Sequence, residues 1–134
     1  MSPAFEPLQG QSLQASLTVK DIEKSIAWYV DVVGFTVARR VERDEKLRAV
    51  AVHAGNVRIL LNQDDGAKGW ERAKGEGMSF QISTEQDVDA IARWIKERCG
   101  VLDMEPKDLP WGARIFRVRD PDNFHWTIAA APAF

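Results

Sequence analysis

The stretch LTVKDIEKSIAWYVDVVGF, Leu17–Phe35, holds a strand, a helix start and a helix stop in direct succession. Leading into it, Leu13, Ala15, Leu17 and Val19 alternate with Gln14, Ser16 and Thr18, the period of two of a half-buried strand. Asp21 can accept hydrogen bonds from the first unpaired amides of a helix. Ile22, Ile26, Tyr29, Val30 and Val33 then recur at helical spacing. Gly34 stands where a left-handed residue ends such a helix. Beyond it, Phe35–Val41 and Leu47–Val52 read as strands joined by the charged turn Glu42–Lys46. Ala54-Gly55-Asn56 makes a tight turn into a further alternating strand, Val57–Asn62. The order is β-α-β-β-β over residues 12–62.

The same plan returns over residues 77–130. Met78, Phe80 and Ile82 alternate with Gly77, Ser79, Gln81 and Ser83. Thr84 with Asp87 resembles a capping box. Val88, Ile91, Ala92, Ile95 and Cys99 form the apolar stripe of a helix that Gly100 ends, which predicts a buried, inert thiol at Cys99. Strands follow near Val101–Glu105, at Ala113–Arg119 and at Phe124–Ala130, the last two joined by the turn Asp120-Pro121-Asp122-Asn123. Residues 63–76 are polar and glycine-containing and read as the linker, with a short helical turn around Trp70. A ferredoxin-like β-α-β-β-α-β chain is the nearest alternative, but it lacks the extra strand in each half.

With 134 residues the chain is of single-domain size. Its 45% hydrophobic and 28% charged content can build one core under a solvated surface. A net charge of −2 offers no basic field for nucleic acid. No apolar run approaches the roughly 20 residues that span a bilayer, and Met1–Gln11 does not read as a signal peptide. The single cysteine allows no internal disulfide. The expected location is cytoplasmic.

Two segments carry a family resemblance. Leu17–Phe35 is similar to the opening of vicinal oxygen chelate modules, and PWGARIFRVRDPDN (Pro110–Asn123) is similar to their final hairpin. From about Leu13 to Ala130 the chain resembles the glyoxalase/bleomycin resistance protein/dioxygenase (vicinal oxygen chelate) superfamily. The resemblance implies an α+β fold in which two β-α-β-β-β modules form a curved mixed-sheet cup with helices on the outer face. Gln14, Ser16, Arg58, Leu60 and Asn62 of the first module would then line the cup, with Ser79, Gln81, His125 and Thr127 of the second. Leu13, Ala15, Leu17, Val57, Ile59 and Leu61 would pack under the helices, as would Met78, Phe80, Ile82, Phe124, Trp126 and Ile128.

Metal-dependent members of that superfamily place four ligands in the cup. The resemblance maps these positions to Gln14, Leu60, Gly77 and Thr127. Leu60 and Gly77 have no donor side chain, and Thr127 is a weak one. A first-row divalent ion needs three or four nitrogen, sulfur or carboxylate donors. His125, on the same face as Thr127, and His53, near a hairpin turn, do not complete a set. The expectation is therefore no metal and no cofactor. The expected function is metal-free small-molecule binding, such as drug or metabolite sequestration, by Gln14, Arg58, Gln81, Trp111, His125 and Thr127. Trp111, on the loop before the seventh strand, would close over a planar ligand, with Trp70 a second such residue. Trp28, Trp94 and Trp126 are expected to be structural. A lyase, isomerase or dioxygenase with a displaced metal site is the alternative, and a module serving only as a subunit is a third reading. Whether the chain is an enzyme is left open. The resemblance also implies a homodimer with each cup at or near the interface.

Overall fold

Alternating residues set the strands, and apolar stripes set the helices, in the computed structural model, which describes residues 5–130. In the first half, β1 (Ala15–Val19) leads to α1 (Ile22–Ile26), which continues as a π-helical stretch, Ala27–Val33. Strands β2 (Thr36–Arg43), β3 (Lys46–Ala54) and β4 (Val57–Gln63) follow. The second half repeats this with β5 (Phe80–Thr84), α2 (Val88–Glu97), β6 (Leu102–Asp108), β7 (Arg114–Arg119) and β8 (His125–Ala130). The two sheets have the same order, β1-β4-β3-β2 and β5-β8-β7-β6. In each, the first strand lies parallel to the last strand of its module, and the remaining pairs are antiparallel. The expected class and the internal repeat are both present.

The helix ends follow from local chemistry. Asp21 accepts from the amides of Glu23 and Lys24, as its sequence position predicts. Gly34, at φ 104°, closes the first helix, its amide bonding to the Tyr29 carbonyl. The second helix departs from expectation at both ends. Its cap is Asp87, whose carboxylate accepts from Asp89 and Ala90, while Thr84 only turns the preceding loop through the Gln86 amide. At the other end Cys99 itself takes the left-handed conformation, φ 65°, and is exposed rather than buried. Gly100 serves close packing instead. A Cβ there would come within 2.4 Å of Ile95 Cγ2 and 2.7 Å of Val32 Cγ1.

One core runs through both halves. Leu17, Val19, Ile59 and Leu61 from the first sheet join Phe116, Val118, Trp126 and Ile128 from the second, with Tyr29 and Ile95 from the helices. Fully burying a side chain of this size contributes about 1.5–3 kcal/mol. Tyr29 is the link between halves. Its hydroxyl donates to Asp120 Oδ2 at 2.7 Å and accepts from Trp126 Nε1 at 3.0 Å. Each sheet therefore turns one face to the shared core and its concave face away from it. Two residues expected under the helices stand outside this core. Leu13 is 95% exposed and Met78 53% exposed, because both precede the first paired residues of their strands.

The linker carries no helix around Trp70 and is held by charge. Lys74 Nζ lies 2.9 Å from Asp64 and 3.5 Å from Asp122, joining the end of the first module to the β7–β8 turn of the second. The Gly66 amide and Lys74 hold the Asp64 carboxyl down at about 2.

Candidate functional site

The β7–β8–β5 register arranges polar side chains in rows on the concave face of the second sheet. Arg117 faces Thr127 across β7–β8, and Thr127 faces Gln81 across β8–β5. Two pairs along, Arg119 faces His125. The residues between them, Phe116, Val118 and Trp126, are buried in the core, so the pleat commits Arg117, Thr127 and His125 to the opposite face. These rows floor a cavity of about 580 Å³, lined by Arg117, His125 and Thr127 with Gly77, Met78 and Ser79 from the segment before β5. Glu76 and Asp103 also border it.

Supporting contacts fix this floor. Asp103 on β6 takes a two-pronged ion pair from Arg119, Nε at 2.8 Å and Nη2 at 3.0 Å, and so neutralises it. Arg119 Nη1 also reaches Asn123 at 3.1 Å. Asn123 in turn donates to the Lys74 carbonyl at 3.2 Å, which brings the linker to the cavity edge. The turn before His125 is shaped by Asp120, which accepts from the Asp122 and Phe124 amides at 2.9 and 2.8 Å. Burial pushes the Asp120 carboxyl up to about 6, against the hydrogen bonds that favour its charged form. The same burial raises the Tyr29 phenol. Arg117, by contrast, has no ion pair or side-chain hydrogen bond among the described residues.

The expected site residues divide into groups. His125 and Thr127 line this cavity, and Gln81 stands beside Thr127 in the adjoining strand. Arg58 projects from the concave face of the other sheet, directly across β3–β4 from His53. Leu60 is on that sheet too, and Gln14 is exposed just before β1. Of the four mapped metal positions, Gly77 and Thr127 border the cavity, whereas Gln14 and Leu60 do not. Trp111 sits at the tip of the β6–β7 hairpin, between Asp108 and Arg114, at the opposite end of β7 from His125. It is 60% exposed and does not line the cavity. Trp70 lies in a separate cleft with Lys20, Pro121 and Asp122. His53 borders a second cavity, of about 600 Å³, together with Ile82, Ile91 and Ile128.

Arg117 and Asp103 were not among the expected site residues. The signal for Arg117 is present in the alternation of Arg117 with Phe116 and Val118, which places a cation on the polar face of β7. Asp103 carries no such signal, since its role depends on the β6–β7 register, which shifts between Leu102 and Met104.

The donor set does not suit a metal of the kind the superfamily uses. Among the described residues no three His, Cys, Asp or Glu side chains gather to hold an ion. The four mapped positions supply one amide and one hydroxyl as their only side-chain donors.

A sequence profile of the Glyoxalase/Bleomycin resistance protein/Dioxygenase superfamily matches residues 11–128. The chain belongs to that superfamily. Its fold is similar to TioX from Micromonospora sp. ML1, at 20% identity and TM-score 0.73, covering 90% of this chain and 98% of that one. It is also similar to a superfamily member from Sphaerobacter thermophilus DSM 20745, at 23% identity and TM-score 0.73, covering 91% and 98%. A third similar fold is a glyoxalase/bleomycin resistance protein/dioxygenase from Alicyclobacillus acidocaldarius, at 14% identity and TM-score 0.71, covering 92% of each chain. A comparison with curated protein sequences finds no significant match.

Proposed function

We propose that this chain is a small-molecule binding protein of the superfamily that seats its ligand on the concave sheet face without a metal. The observation that carries this reading is the cavity over Arg117, His125 and Thr127. It combines a polar floor, a rigid sheet beneath it and a volume suited to a small organic ligand. Among the described residues no three His, Cys, Asp or Glu side chains gather to hold the ion that lyase, isomerase and dioxygenase chemistry in this superfamily draws on. Sequestration needs only complementary contacts, which the row of neutral and cationic donors provides. The protein acts as a homodimer in this reading, because each concave face is open within one chain.

The test uses protein purified without chelator or denaturation. Native mass spectrometry should detect a co-purifying organic ligand, and elemental analysis should find far less than about one transition-metal ion per chain. A stoichiometric ion that Gln14→Ala removes would overturn the reading in favour of a metalloenzyme.

A further inference from the structure

We propose that the ligand class of this cavity is a small organic carboxylate, received by Arg117; this rests on the small-molecule reading above. Three charged side chains line the cavity: Glu76, Asp103 and Arg117. Asp103 is committed to Arg119 through both of its oxygens, so the two cancel. Glu76 is exposed on the segment before β5, outside the strand register. That leaves Arg117 as the cation on the floor itself, with no carboxylate paired to it among the described residues.

A guanidinium held on a sheet is a directional receptor. Its paired N–H groups match the two oxygens of a carboxylate, and such charge-assisted pairs are stronger than neutral hydrogen bonds. The neighbours extend the match. Thr127 lies directly beside Arg117 and is itself buried, so its hydroxyl faces a partly desolvated floor. Gln81 continues the row, His125 stands two pairs along, and Ser79 borders the same cavity. One uncompensated positive charge with neutral donors around it suits a monoanion. A phosphate dianion would lack a second cation. Arg58, the cation of the expected site, borders neither large cavity and therefore does not offer the same receptor.

The test is a ¹H–¹⁵N NMR titration of the intact protein with four carboxylates (acetate, benzoate, phenylacetate and indole-3-acetate) and, in parallel, their four primary amides. The amides match the acids in shape but carry no charge. At least one acid should shift the Arg117, His125 and Thr127 signals and bind at least about tenfold more tightly than its amide. In Arg117→Met that preference should vanish while the amide's affinity is kept. Exposure of Arg117 makes the variant safe for folding, and an unchanged melting temperature verifies this. Equal binding of acids and amides, or an acid preference that survives Arg117→Met, overturns the carboxylate assignment and leaves the binding reading intact. No shift at these residues with any of the eight compounds overturns the assignment and counts against the binding reading too.

Discussion

At Asp120 a carboxylate is buried against a phenol, and its proton becomes part of the stability of the fold. Burial raises the folded carboxyl to about 6, whereas an unfolded Asp titrates near about 4. Below about pH 4 both states hold the proton. Between about 4 and 6 the unfolded chain releases it and the folded chain keeps it, so stability falls as pH rises through that window. Above about 6 the loss is complete, at up to about 3 kcal/mol for two units. Asp120→Asn cannot titrate. The wild-type advantage over this variant should therefore shrink by up to about 3 kcal/mol between pH 4 and pH 7 in urea unfolding. A difference that stays constant with pH would show that Asp120 titrates like an ordinary carboxylate. Asp120 also shows where residue-level legibility ends. Its turn is readable in Asp120-Pro121-Asp122-Asn123, but its bond to Tyr29 spans the two modules and has no local signal. Thr127 and His125 were readable because alternation with buried neighbours fixes their face. Cys99 was misread because helical spacing was extended past Glu97, where the chain had already left the helix.

The elements themselves were largely legible, and their lengths were not. β1 begins at Ala15 rather than Leu13, because alternation marks a face without showing where pairing partners run out. β6 extends to Asp108 and includes Pro106, which an edge strand tolerates since one side of it needs no amide. That extra length carries Trp111 away from the cavity and explains why the expected lid does not cover it. The short connection between β2 and β3 is another such case. Asp44 and Glu45 both adopt positive φ, 53° and 61°, in a turn that favours Asn-Gly. Where linker meets module, backbone approach sets a sharper condition. A Cβ on Gly75 would lie 2.0 Å from the Asn123 carbonyl oxygen, at φ 74°. Gly77, at φ 72°, has open space around it. Gly77→Ala should lose only about 1–2 kcal/mol through its backbone conformation. Gly75→Ala adds a backbone clash and should lose at least about 1–3 kcal/mol more. Comparable unfolding free energies for the two variants would show that the linker moves away from Asn123 at little expense.

At the scale of the molecule, one main core serves two sheets, and a smaller cluster of Ala113, Ile115 and Ala129 covers only part of the concave face of the second. Among the described residues no pairing joins the sheets, so β1 and β2 of one and β5 and β6 of the other are edges. Unpaired edges are sites for further strand association or need cover. The segment leading into β1 adds an apolar element, since Phe5, Leu8 and Leu13 are 88%, 93% and 95% exposed. An exposed run of large apolar side chains beside an open edge fits contact with a second copy. A two-fold pairing applies that contact twice, because each copy gives and receives the same surface. Sedimentation should therefore find a dimer at micromolar concentration. Leu13→Asp should leave folding unchanged, since the side chain touches little of its own chain. Burying Leu13 contributes about 1.5–3 kcal/mol at each of two equivalent contacts, so its loss should raise the dimer dissociation constant by about 100-fold or more. A monomeric wild type would refute the dimer. A dimer untouched by Leu13→Asp would instead place the interface away from the β1 edge, and the two concave faces would then have to function as separate, half-open sites.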